Sequence, residues 1–261
     1  MKWQAVAINT YREAIRDKVL YNLLIFALIL IGGSILLATL TISEQNKIIV
    51  DFGLASMNLF GVLMAIFLGI GLVSKEIEKK TLYTVLSKPI GRTEFLLGKY
   101  AGLLLTLAVN TMIMGVGLYL TLMINQARWG FSIWDVMDPR LIGAIYMIYF
   151  ELAILTAVAL LFSTFTTTTL AAIFTLSIYI MGHASFDLMK MGEKLDGLAG
   201  PLLKGIYYIL PNLSYFNIKG QVAHGVAIAP SYFFYTTLYA LVYCTLLMCL
   251  ASFIFKRRDF N

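Results

Sequence analysis

The chain has 261 residues, of which 60% are hydrophobic and 13% charged, and its mean hydropathy is +0.83. A soluble domain is roughly 45–50% apolar and about 25% charged, so 20 basic and 14 acidic side chains could not coat a soluble body of this size. The net charge of +6 and pI near 9.2 therefore do not point to nucleic acid, and the apolar content excludes a disordered chain.

Residues 1–18 open the chain as a separate element. Trp3, Ala7, Tyr11, Ala14 and Ile15 recur at helical spacing, with Arg12, Glu13, Arg16 and Asp17 elsewhere around the turn. That pattern predicts an amphipathic helix lying in the membrane interface.

No Asp, Glu, Lys or Arg occurs at 19–43, 52–74, 100–127, 152–186 or 220–255. A crossing helix needs about 20 apolar residues. The sequence thus predicts an all-α polytopic membrane protein, one transmembrane domain over 1–261, with six helices at 19–42, 52–74, 98–124, 141–163, 169–187 and 232–255. The first is no cleaved signal peptide, because its apolar run is too long and no small-residue cleavage site follows. The 152–186 run is too long for one helix begun near 141. Thr164-Phe165-Thr166-Thr167-Thr168-Thr169 supplies the break, since clustered hydroxyls satisfy a turn backbone locally. Pro89, Pro139, Pro201, Pro211 and Pro230 all fall outside these spans, as a residue without a backbone N–H should. The 188–231 segment is too apolar for a linker and predicts short reentrant helices between spans five and six, with Tyr207, Tyr208, Tyr215, Tyr232 and Tyr235 as an aromatic belt.

Lysine and arginine orient the chain. Six spans put the N-terminal segment, the second loop, the fourth loop and the C-terminus on one side, with four, six, none and three cations: thirteen of the twenty. Both termini are therefore expected in the cytoplasm, with Lys47 and Lys204 outside.

The second loop, KEIEKKTLYTVLSKPIGRTEFLLGK over 75–99, has more order than a basic loop needs. Ile77, Thr81, Leu82, Val85 and Leu86 share one face of a short helix, and Glu76 faces Lys80 at the favourable i, i+4 spacing. Pro89 ends that helix and Gly91 turns the chain. Thr93 can cap the next helix, with Glu94 in its first turn. The product is a helix–turn–helix elbow suited to docking another protein.

Within the membrane, Glu151 is the one formal charge in the interior of a predicted span, Lys99 and Asp187 standing at span ends. A carboxylate there must be protonated, paired or wet, and the sequence leaves two readings open: a pathway or proton-linked site, or a buried hydrogen bond to Asn110 or a span-five hydroxyl. His183 reads as a satisfied core histidine, since Ser185 lies two residues on and faces elsewhere. Two distant histidines make no metal site, and Cys244 and Cys249 read as packing residues. No catalytic, cofactor-binding or metal residue is assigned. Gly61, Ala65 and Gly69, like Gly98 and Gly102, recur every four residues and suit close helix packing, within the chain or between copies.

These residues carry a resemblance. The N-terminal helix, the 75–99 linker, the hairpin LLFSTFTTTTLAAIFTLSIYIMGHASFDL from Leu160, and YYILPNLSYFNI followed by a last span and FKRRDF resemble the type-2 ABC exporter permeases along the whole chain. Glu76, Thr81, Leu86, Ser87, Pro89, Arg92, Glu94, Gly98 and Lys99 match the linker pattern, with Lys80 where many members have Gly. The nearest subgroup in flavour is the copper-processing permeases of nitrous-oxide-reductase maturation. The resemblance implies a permease subunit of the prokaryotic plasma (inner) membrane, paired with a second copy as a homodimer. It also implies a separate ATP-binding-cassette subunit that carries ATP and Mg. A periplasmic partner protein is compatible with it. The coupling surface would be Glu76, Lys79, Lys80, Thr81, Leu82, Val85, Leu86, Pro89 and Arg92, and the candidate pathway Glu151 and Asn110. No G-x-x-x-x-G-K-[ST] occurs in the chain, in keeping with an ATPase on another polypeptide. Alternatives are an intramembrane enzyme, for which H-E-x-x-H, G-x-S-x-G and a mid-span Asp pair are all missing, or an ion-coupled carrier, for which no Pro-broken spans are present.

Overall fold

The computed structural model describes 2–41, 44–78, 91–128, 138–194 and 199–257, with side chains described from Trp3 onward and, in the third helix, as far as Gly71. These residues form helices α1 (Lys2–Ile15), α2 (Lys18–Ala38), α3 (Gln45–Glu78), α4 (Arg92–Arg128), α5 (Pro139–Ser163), α6 (Thr168–His183), α7 (Ser185–Lys194), α8 (Ala199–Ile209), α9 (Lys219–Ala223) and α10 (Pro230–Arg257), with a 3-10 turn at Leu213–Phe216 and no strand among them. The protein is an all-α, multi-pass membrane protein: α2, α3, α4, α5 and α10 are each long and apolar enough to cross a bilayer.

The fifth expected span differs from its sequence reading. Helix α6 has 16 residues, about 24 Å at 1.5 Å per residue, and the chain then bends by 67° into α7. The bent pair makes a sixth crossing only if taken as one span. The break before α6 falls in the threonine run, where Thr164 and Thr166 hydroxyls donate to Leu161 and Phe162 carbonyl oxygens at 2.6 and 2.8 Å.

Helix α5 is the hub. Every residue from Glu151 to Leu161 is buried, against α3, α4, α6 and α10. The small-residue stripe of α3 is a seam within the chain: a Cβ on Gly61 would fall 2.6 Å from Leu152 Cδ1, and one on Gly69 would fall 2.8 Å from Ala159 Cβ. The backbones approach because nothing projects between them.

The second glycine pair holds the N-terminal helix. A Cβ on Gly98 would lie 2.7 Å from the Trp3 carbonyl oxygen, and one on Gly102 would lie 2.5 Å from that of Ala7. Helix α1 thus packs along α4, burying Thr10 and Ala14 completely. Lys99, which the sequence counts among loop cations, is only 2% exposed and sits 3.3 Å from Glu13 Oε2 of α1. Gly102→Val should therefore loosen α1 selectively. Overpacking of this kind costs about 1–3 kcal/mol, and the expected readout is faster tryptic cleavage at Arg12 and Arg16. Unchanged cleavage would mean that α1 is held by other contacts.

The start of α4 and the end of α10 are tied together. Arg92 donates to the carbonyl oxygens of Phe255 and Lys256 at 3.4 and 3.1 Å, filling acceptors that a helix end leaves open. The Ser252 hydroxyl donates to that of Thr93 at 3.0 Å. Thr93 is therefore not the expected cap: α4 already begins at Arg92, and the Gly91 N–H meets Glu94 Oε2 at 3.4 Å instead.

At the opposite face, tyrosines of α10 pin the apolar segment that follows α7. Tyr232 donates to the Tyr215 carbonyl oxygen at 2.6 Å, the Asn212 N–H donates to Tyr239 at 2.8 Å, and Tyr243 donates to the Ile209 carbonyl oxygen. Asp138 caps α5 and accepts from Arg140. Burial alone would push its carboxyl up, but the Arg140 bonds hold it below the usual range.

Candidate functional site

Glu151 lies midway along α5 with no exposed surface. Burying a charge at this depth requires partners, and three other helices supply them. Asn58 of α3 donates from Nδ2 to Glu151 Oε2 at 2.8 Å, and its Oδ1 accepts the Tyr179 hydroxyl of α6 at 2.8 Å. His183, one turn beyond Tyr179, brings Nε2 to 3.4 Å from Glu151 Oε1. That approach is short of hydrogen-bond alignment, and both atoms are otherwise without a partner. Lys219, first residue of α9, is mostly buried nearby. Burial pushes its ammonium below the ordinary value, and the Glu151 carboxylate opposes that shift.

The proton inventory of this knot follows from donor and acceptor types. His183 Nδ1 faces the Tyr179 carbonyl oxygen at 3.2 Å. A carbonyl only accepts, so Nδ1 carries the hydrogen. Nε2 can then meet Glu151 attractively only with one proton between them, on either the imidazole or the carboxyl. A single proton makes the pair neutral overall, which is the condition for holding it in a buried place. The knot can hold or move that proton. Its geometry also ties α3, α5 and α6 at one point, with Lys219 of α9 close enough to feel the carboxylate.

Several sequence expectations are redrawn here. Asn110 does not meet Glu151; its Nδ2 donates to the Thr106 carbonyl oxygen of its own helix at 2.8 Å. The span-five hydroxyl is present as Tyr179, but it reaches Glu151 through Asn58. His183 is more than a satisfied core histidine, since it faces the buried carboxyl. Ser185 donates back to Gly182 at 2.9 Å, away from that imidazole. Asn58 was legible as the single asparagine in the uncharged run 52–74. His183 and Tyr179, four apart on one helix face, offered a second signal.

Of the coupling residues, Lys79, Lys80, Thr81, Leu82, Val85, Leu86 and Pro89 lie outside the described residues. Glu76 is on the last turn of α3, its side chain outside the described set. Helix α3 thus continues past the expected span end at 74, to Glu78. Arg92 is described, and it ties α4 to α10.

Two comparisons bear on identity. A family model described as ABC-2 family transporter protein matches residues 4–260. No curated protein matches the chain. The chain belongs to the ABC-2 transporter family and is a membrane permease subunit of an ABC transporter.

Proposed function

We propose that this permease is one membrane half of an exporter, driven by a separate subunit that binds ATP and Mg and pushes on the elbow within 75–99. The length of the two helices on either side of residues 79–90 carries the reading. Helix α3 runs 34 residues without interruption and α4 runs 37, about 51 and 55 Å. Each exceeds the roughly 30 Å hydrocarbon core, so a push at the elbow would travel along stiff rods through the membrane. Helix α3 carries Asn58, so that displacement would strain the bond to Glu151 and reach α6 and α9 on the far side.

In this reading Glu151 is the joint of the transmission rather than a group presented to the path. Its complete burial and its protein partners support that role. Asn110, also buried and bonded within its own helix, offers a path little. A second copy of the chain would complete the membrane unit, and the segment 188–231 is the surface that a periplasmic partner would meet. The unit would reside in the plasma membrane of a prokaryote.

The orientation test is direct. With both termini cytoplasmic, Lys47→Cys should react with an impermeant thiol reagent in intact cells, in a background lacking Cys244 and Cys249. Labelling only after permeabilisation would reverse the topology and place the elbow on the wrong side of the membrane for an ATPase.

A further inference from the structure

Helices α4, α5 and α10 leave an apolar groove of about 690 Å³ between them. It belongs neither to the Glu151 knot nor to the elbow. Along α4 its lining runs from Thr93 to Leu104, eleven residues or about 17 Å. Half of a hydrocarbon core is about 15 Å, so the groove has the depth of one leaflet. Its rim is open to the side, with Leu97, Leu241 and Phe253 all about half exposed.

The two ends differ in chemistry. The inner end is lined mostly by hydrocarbon and aromatic side chains such as Leu104 and Phe150. The mouth carries the Thr93 and Ser252 hydroxyls and the exposed Lys256, with the Arg257 guanidinium 4.2 Å over the Phe253 ring next to it. Lys256 and Arg257 are the last described residues of a membrane-spanning helix, where cations stand at headgroup depth. An apolar slot one leaflet deep with a cationic, hydroxyl-bearing mouth matches an amphiphile with an acyl tail and an anionic head.

We propose that this groove is a binding site for an anionic phospholipid from the leaflet on the side of the chain termini, its acyl chain between α4 and α10 and its phosphate on Lys256. Charge complementarity selects the lipid class, because basic pockets between membrane helices hold anionic headgroups. The site joins the last turn of α10 to the first turn of α4, the same two ends that Arg92 ties. An occupant there would brace the start of α4. The inference stands on the groove alone and holds whichever way the chain faces.

The test uses the full chain in phosphatidylcholine nanodiscs, doped with phosphatidylglycerol or phosphatidylcholine that carries a photoreactive group midway along one acyl chain. Crosslinks are mapped by peptide mass spectrometry. The phosphatidylglycerol probe should label the 241–253 stretch about five-fold more than the neutral probe, the preference that one interfacial cation supplies. Lys256→Gln, at an exposed position, should remove that excess without changing thermal stability. Cys249→Trp fills the open side of the groove and should lower labelling of 241–253 by both probes, while labelling of the exposed face of α2 stays constant. Equal labelling by the two probes, or an excess that survives Lys256→Gln, would overturn the proposal. So would a groove without lipid in which a short bismaleimide joins Cys249 of two copies, since a second chain would then be the occupant.

Discussion

Leu82→Asp and Leu86→Asp should each release the ATP-binding subunit from the permease and abolish ATP turnover coupled to it. In the proposed mechanism the work enters through a protein contact with a separate ATP-binding subunit, and no G-x-x-x-x-G-K-[ST] occurs in the chain. The competing contacts on that side are poorer. Helix α1 is packed on α4, the turn between α5 and α6 is short and self-bonded, and the end of α10 is occupied by Arg92. In the sequence from Glu76 to Arg92, apolar residues at helical spacing are flanked by charge and followed by Pro89 and Gly91, the pattern expected of a docking surface. Apolar side chains desolvated at the centre of an interface dominate its binding energy, at about 2 kcal/mol or more for a hot spot. A carboxylate at Leu82 or Leu86 would forfeit that term and add a charge needing burial. Lys79→Ala should be mild, since rim charges govern approach rate and salt dependence more than affinity. Co-purification with the ATPase and ATP turnover in liposomes are the readouts. Retention of partner and turnover by both Asp variants would reduce the segment to a basic loop.

What was legible in the sequence followed from hydropathy and spacing. Charge-free runs located the five long crossings, because a hydrocarbon medium tolerates few alternatives. The glycine repeats announced close packing, but a repeat of small residues has no address. Gly61 turned out to face Leu152, and Gly98 to face α1, neither of which spacing could tell. Helix α1 illustrates the same limit. Its amphipathic pattern fits a lipid surface and a groove on α4 alike, and spacing gave no sign that Gly98 and Gly102 would receive its backbone. The bend at Ala184 carries no proline, so the local signal that marks most breaks was missing there. For Glu151, burial depth was readable and partner identity was not. Asn58 and Glu151 are 93 residues apart, and an asparagine in α4 was as plausible on composition as the one in α3.

The Glu151 knot makes a prediction that separates a tie from a transport path. Glu151→Leu removes the acceptor of the Asn58 amide and the carboxyl that faces His183. A buried donor left unmade costs about 1–3 kcal/mol, and removing one member of a buried charged pair costs about 3–5. The Leu variant should therefore melt well below the wild type in detergent. Glu151→Gln should not. Its amide oxygen can accept from Asn58, and its NH2 can donate to His183 Nε2, which is an acceptor once Nδ1 carries its hydrogen toward the Tyr179 carbonyl. The Gln side chain reproduces the state in which the shared proton sits on the carboxyl. If the knot is a tie, this variant keeps both its fold and its coupled ATP turnover. If Glu151 lines a path, it keeps its fold and loses transport. Asn58→Leu supplies the other edge of a double-mutant cycle. Interhelical bonds in membranes contribute about 0.6 kcal/mol on average and up to about 1.7. The burial and short length of this bond put it at the upper end, so Asn58→Leu with Glu151→Leu should lose about 1–2 kcal/mol less than the two single losses together. Two apolar partners leave each other no orphaned group. Strict additivity would mean that the 2.8 Å contact contributes nothing to holding α3 on α5, and the transmission proposed through it would fail.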